Sequence, residues 1–187
     1  MMKRSVDITG SIVACIVLAL PAMLIAMAIK VTSPGPALHW SDRIGRNGRL
    51  FRMPKFRTMK VGTPQVATDK LQDPASRLTR IGGILRQLSC DEIPQLWSVI
   101  VGDMSLVGPR PALFNQDALI AERKARGINA LRPGITGWAQ VNGRDDISDA
   151  RKIQLDEEYL NRRSLAFDLR VLWLTAWKVA RREGVAH

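Results

Sequence analysis

The sequence predicts a mainly helical α+β fold built on an N-terminal membrane helix, with interfacial amphipathic helices and one short β-hairpin. Three observations carry that expectation. Residues 8 to 29 contain no charged side chain across 22 positions, and a helix of that length reaches about 33 Å, enough for a hydrocarbon core of ~30 Å. Further along, apolar residues recur at helical spacing between arginines. Between the two lies Asn47-Gly48, a turn dipeptide flanked by short apolar runs.

The apolar run is longer than the core of a cleaved leader, and no small-x-small cleavage site follows it. Lys3 and Arg4 precede it, while Lys30, Arg43, Arg46, Arg49, Arg52, Lys55 and Arg57 follow. Under the positive-inside rule both flanks belong on the cytoplasmic side. Pro21, near the middle, removes a backbone hydrogen bond and crowds the preceding turn, so a bend is expected there. A bent helix that returns by the leaflet it entered and a spanning helix with a proline kink both fit the residues.

Ser33-Pro34-Gly35-Pro36 cannot continue a helix and ends the segment. The hairpin follows, with Ala37 to Trp40 and Leu50 to Met53 flanking Asn47-Gly48. Residues 61 to 74 are polar and without period, and read as a mobile loop. Leu78, Ile81, Ile84, Leu85 and Leu88 then repeat at helical spacing, with Arg77, Arg80 and Arg86 on other faces, as in a helix lying on a membrane surface or one packed on a core. A last helix is expected from Ala166 to Arg182. Its Trp173 and Trp177 suit either the headgroup zone or a buried core.

At 187 residues one domain with a proper core is expected. Lys and Arg number 28 against 17 Asp and Glu, which favours anionic partners. Two cysteines, Cys15 and Cys90, make no disulfide framework, and His39 and His187 make neither a zinc cluster nor a Ser-His-Asp set. P-loop and Gly-x-Gly-x-x-Gly patterns are missing. Chemistry here has to run on carboxylates and cations.

The stretch LSCDEIPQL, residues 88 to 96, sets Asp91 beside Glu92 in this strongly basic chain. Ser89-x-x-Glu92 matches a capping box, but Pro94 would then fall beyond the first turn, where its ring is poorly tolerated. A break in local structure is expected at the acidic pair. An ionised Asp there can bind Mg²⁺ or attack phosphorus. Gly108-Pro109-Arg110-Pro111 and Arg132-Pro133-Gly134-Ile135-Thr136-Gly137 are stiff turns whose arginines suit phosphate oxygens, although such turns also simply reverse a chain. Lys55 and Arg57 add charge nearby or lie on solvated surface. Asp145, Asp146 and Asp149 read as a helix start rather than a metal site, and Asp156, Glu157 and Glu158 as a solvated helical face.

LSCDEIPQLWSVIVGDMSLVGPRP followed by LRPGITGWAQVNGR, together with KRSVD, PGP and KFRTM, resembles the bacterial sugar transferase family, the monotopic phosphoglycosyl transferases. The likeness covers nearly the whole chain and corresponds to the small form, without an added multi-span domain. It implies a monotopic protein of the bacterial inner membrane: residues 1–32 a re-entrant membrane helix, residues 33–187 a catalytic domain on the cytoplasmic face, in contact with membrane phospholipid. It further implies transfer of a sugar 1-phosphate from a UDP-sugar to undecaprenyl phosphate, releasing UMP. Mg²⁺ is the implied cofactor, and a phosphosugar carried on the Asp of the dyad the implied intermediate. By motif position Asp91 is the nucleophile and Glu92 its partner in metal placement or proton handling. Lys55, Arg86, Arg110 and Arg144 become candidates for phosphate contacts, and Asp103 and Asp168 for ordering the site. A nucleic-acid-binding module would also account for the basic charge, but it has no use for the acidic dyad or the lipid-facing helices. A catalytically silent membrane scaffold is the third class of function.

Overall fold

A computed structural model describes residues 2–66, 71–143 and 147–181. Helix α1, Met2–Thr32, is a single hydrogen-bonded helix that carries on through Pro21 and stops one residue before Ser33-Pro34. By length and composition it is able to cross a membrane. Most of its apolar side chains are exposed, among them Ile16, Val17, Leu20, Leu24 and Val31. The exceptions are informative, because α1 is held to the rest of the chain near both ends. At its start Lys3 Nζ donates to Asp168 at 2.6 Å, Arg4 donates to the carbonyls of Val99 and Ile100, and buried Asp7 accepts from Ser105 Oγ and Leu106 N. Near its end Ile29 is fully buried with Phe56 and Leu85, a burial that stabilises by about 2 kcal/mol. Arg57, expected at the surface or among phosphates, is instead buried, and donates to Ser33 and the Pro36 carbonyl.

Strands β1, Leu38–Ile44, and β2, Leu50–Phe56, form the expected hairpin, antiparallel and in register from Leu38 opposite Phe56 to Ile44 opposite Leu50. Asn47 and Gly48 both take positive φ in its turn, which is what that dipeptide is suited to. The loop expected over residues 61 to 74 lies partly outside the described residues.

The apolar stripe from Leu78 to Leu88 is not one helix. Helix α2 is only Gly82–Gln87. Leu78 forms an antiparallel bridge with Met59, and Thr79 bonds the Thr58 carbonyl with both its backbone N–H and its hydroxyl. Extended pairing therefore captures the residues that a helical period would have claimed. Leu85 is buried while Ile84 is 58% exposed, so the stripe also divides between core and surface.

Helix α3, Gln95–Val101, packs on α1 and leads to β3, Ser105–Val107, which pairs in parallel with β4, Gly134–Thr136. Between them runs α4, Asp117–Ala125; afterwards come α5, Trp138–Val141, α6, Asp149–Arg162, and α7, Leu165–Arg181. One part of the core joins Val107, Val141, Tyr159, Phe167 and Val171, and another joins Ala112, Leu119, Ile128 and Ile153. Ser148 caps α6 and Asp149 sits in its first turn, ion-paired to Lys152, as a helix start requires. Helix α7 starts one residue before its expected start and runs to Arg181, the expected end at Arg182 lying outside the described residues. Its Phe167 and Val171 are buried, whereas Leu169, Trp173 and Trp177 are exposed, the two indoles stacked at 5.9 Å.

The two glycine-rich turns meet each other. Gly108 N bonds Thr136 O, and Gly134 N bonds Pro109 O. A Cβ added at Gly134 would lie 2.1 Å from Gly108 N, backbone that has nowhere to go. These glycines allow one chain segment to approach another. Gly134→Ala is expected to cost about 3 kcal/mol, visible as a lowered Tm in detergent.

Candidate active site

Asp91 and Glu92 lie in a single 3₁₀ turn, Cys90–Glu92. Ser89, just before it, is left-handed at φ 54 and caps no helix, and Pro94 immediately precedes α3. The capping box is therefore not formed, and the break that Pro94 implied is present. The tighter turn presents both carboxylates on one side, where cations from three elements reach them. Lys55 Nζ, from β2, lies 3.1 Å from Glu92 Oε1 and 3.8 Å from Asp91 Oδ2. Arg110 Nη1, from the loop after β3, also donates to Glu92 Oε1 at 3.1 Å. Arg86, near the end of α2, donates to Thr58 Oγ1 and adds its positive field at Asp91.

The two acids are shifted in opposite directions. Burial raises Asp91 above the usual carboxylate range, and the negative charge of Glu92 adds to this against the pull of Lys55, Arg110 and Arg86. Burial also works to raise Glu92, but Lys55 and Arg110 overcome it through charge and hydrogen bonds, holding Glu92 down at about 2. Glu92 is a fixed anion, poorly suited to carrying a proton at neutral pH.

Of the sequence candidates, Lys55, Arg86, Asp91, Glu92 and Arg110 are thus brought together. Arg144 lies outside the described residues, as do Asp145 and Asp146. Asp103 is exposed. Asp168 is buried and accepts from Lys3 and Tyr159, fastening the start of α1. Arg132 donates from Nε to the Gly102 carbonyl at the end of α3.

Two arginines without any local sequence signal complete the arrangement. Arg43 donates to the Pro111 carbonyl, and Arg123 to the Arg110 carbonyl. Burial, then the nearby Arg110, pushes Arg43 down to about 10, which leaves it charged. Arg123 pairs at 2.5 Å with Asp156, which is 1% exposed and not the solvated acid its surroundings in sequence suggest. The Pro-stiffened loop carrying Arg110 is thereby held at two successive carbonyls. Asp156→Ala leaves Arg123 buried and unpaired, a loss of about 3–5 kcal/mol, to be measured by chemical denaturation in detergent.

The chain matches the bacterial sugar transferase family over residues 1–182. It belongs to that family. It is 38% identical to the uncharacterised sugar transferase EpsL of Bacillus subtilis, over 98% of this chain and 90% of that protein. Similarity to the galactosyl transferase CpsE of Streptococcus agalactiae is also 38%, over 92% of this chain and 41% of CpsE. A UDP-glucose:undecaprenyl-phosphate glucose-1-phosphate transferase of Escherichia coli is 36% identical, over 95% of this chain and 40% of that protein. The chain thus spans about two fifths of the length of these two larger relatives and most of the length of EpsL.

Proposed function

We propose that this protein transfers a sugar 1-phosphate from a UDP-sugar to undecaprenyl phosphate, releasing UMP, through a phosphosugar carried on Asp91. The observation that carries the reading is the turn in which a buried, desolvated Asp91 stands beside a permanently ionised Glu92 within reach of Lys55, Arg86 and Arg110. The names of relatives such as the Escherichia coli transferase supply the donor and acceptor classes.

In the first step an Asp91 carboxylate oxygen attacks the phosphorus that bears the sugar. A P–O bond forms to Asp91, the P–O bond to UMP breaks, and the electron pair leaves on UMP. Lys55 and Arg110 face the charge that gathers on the phosphoryl oxygens, already oriented by their bonds to Glu92. In the second step a phosphate oxygen of the acceptor attacks the same phosphorus and Asp91 departs as a carboxylate. A phosphate monoester with a second pKa of about 6 is already ionised, so this step needs no base. The low pKa of Glu92 favours charge placement over proton handling.

Among the described residues no cluster of three or more metal-ligating side chains occurs. Mg²⁺ is typically held by only one or two carboxylates plus substrate phosphates, so Asp91 and Glu92 fit as its protein ligands. Bound there, the ion would draw charge from the donor diphosphate.

The reading includes a topology: residues 1–32 as a re-entrant membrane helix and residues 33–187 as a catalytic domain at the cytoplasmic face of the inner membrane. Its support is that α1 contacts the same body near both ends, through Lys3, Arg4 and Asp7 and again through Ile29 and Ser33. The exposed Leu169, Trp173 and Trp177 of α7 suit the headgroup zone. With Cys15 and Cys90 replaced by Ser, exposed Ser5→Cys and Ser76→Cys are expected to resist an impermeant thiol reagent in intact cells and to react in opened ones. Labelling of Ser5→Cys from outside would mean a spanning helix.

The reaction is tested by supplying a panel of UDP-sugars with undecaprenyl phosphate and Mg²⁺ and reading UMP. Labelled donor without acceptor should leave sugar phosphate on the protein. Turnover without such labelling would favour single displacement, and the failure of every donor would end the reading.

A further inference from the structure

The hairpin has two unlike faces. Leu38, Trp40, Pro54 and Phe56 lie on its apolar side, while the alternate residues His39, Ser41 and Arg43 of β1 share the other side with Met53 and Lys55 of β2. This second side looks onto the acidic turn, since Lys55 reaches Glu92 and Asp91, and Arg43 holds the loop that carries Arg110. His39 stands directly opposite Lys55 in the register, so their Cβ atoms lie about 5 Å apart. Its imidazole is exposed and makes no hydrogen bond or ion pair among the described residues. Ser41, by contrast, is buried, and its hydroxyl is taken up by Arg43 Nε. Partial burial first, then the charges of Lys55 and Arg43, hold His39 below the usual histidine range, against the pull of Asp42. At neutral pH the ring is uncharged, with one nitrogen to donate and one to accept.

We infer that His39 contacts a hydroxyl of the donor's sugar and helps to set which sugar is accepted. The inference rests on the proposed reaction and deepens it. The sugar is joined through a single oxygen to the phosphorus that Asp91 attacks, whereas the uracil is further off by a second phosphate and a ribose. A side chain next to Lys55, which faces the oxygens of that phosphorus, therefore comes within range of the sugar first. Lys55, Arg86 and Arg110 answer to charge, and a phosphate carries the same charge whatever sugar it bears. Telling one hexose from its epimer takes a group that senses the direction of a hydroxyl by donating to it or accepting from it. The cations only donate, and Glu92 Oε1 is already shared by Lys55 and Arg110. On this side of the hairpin His39 is the exposed side chain able to do both.

The experiment compares wild type, His39→Ala and His39→Phe in steady-state turnover with UDP-glucose, UDP-galactose, UDP-N-acetylglucosamine and UDP-N-acetylgalactosamine. With the best donor His39→Ala should lose about tenfold in kcat/KM, carried by KM. Its preference for that donor over the C4 epimer should fall by about fivefold or more. His39→Phe keeps a flat ring but neither donates nor accepts, and should lose the preference to the same degree. In both variants the KM for undecaprenyl phosphate and the inhibition constant of UMP should stay within about twofold of wild type, which also reports an intact fold. Equal use of all four donors by wild type, or an unchanged donor ratio in His39→Ala, overturns the inference. So does a ratio preserved in His39→Phe, which would make the ring a packing element. A UMP inhibition constant that rises together with the donor KM overturns it too, by moving the contact to the uridine end. Wild-type protein that releases no UMP from any donor overturns the proposed reaction instead. Calorimetric binding of the same UDP-sugars then decides His39, whose replacement by Ala has to weaken the sugar nucleotide and leave UMP unchanged.

Discussion

Asp91→Asn is expected to reduce turnover by at least about 10³-fold while the protein folds and inserts normally. The amide keeps the volume of a residue that is 7% exposed, and Lys55 retains its closer partner Glu92. In the proposed mechanism, what is lost is the attacking oxygen. The decisive measurement is retention of labelled sugar phosphate without acceptor, which should vanish in Asp91→Asn. Retained label in that variant would remove Asp91 as its carrier. Glu92→Gln should lose about 10²-fold for another reason: its neutral amide no longer anchors Lys55 and Arg110, both now bonded to the same Oε1.

Arg110→Ala is expected to lower kcat/KM by about 10²-fold, whereas Arg163→Ala should stay within about twofold although it removes the same charge. Arg110 is seated by geometry. Its guanidinium meets Glu92, its own carbonyl is held by Arg123 and the next carbonyl by Arg43, and its side chain remains 41% exposed toward a ligand. Arg163 is an exposed residue at the end of α6. Equal losses in steady-state assays of the two variants would mean that only net charge matters.

What could be read from the chain alone depended on range. The apolar helix, the Asn47-Gly48 hairpin, the α7 span and the break at Pro94 are governed by neighbours in sequence, and each is found where the sequence places it. The Leu78–Leu88 stripe misled because Thr58, some twenty residues earlier, claims Thr79 for extended pairing. The parallel β3–β4 pair joins three-residue strands separated by α4, too short for any period to announce. The dyad stood out as two acids in a basic chain. Arg43, Arg123 and Asp156 did not, since their significance is set by carbonyls and partners distant in sequence. Asp156 in particular sits in a run of three acids that looks solvated, and only the packing of α6 on α4 buries it. The Gly108 and Gly134 motifs were legible as stiff turns but not as each other's packing partners.

Helix α1 is bonded to the catalytic body at Lys3, Arg4 and Asp7 and packed onto it again at Ile29. A domain on a flexible tether would drift in height above the lipid, and its chemistry would be indifferent to the bilayer. Here the helix and the carboxylates move as one piece, like a float whose waterline is set by its hull. With α1 embedded as proposed, the immersion of Asp91 would be governed by how α1 settles in the hydrocarbon, and a thicker or thinner bilayer, which a hinged anchor would absorb, would shift the acidic pair relative to the headgroups. Bilayer thickness would then act as a control on turnover: acyl-chain length, varied in nanodiscs of one headgroup, should give an activity optimum in wild-type protein, and a variant freed at Asp168 should broaden it.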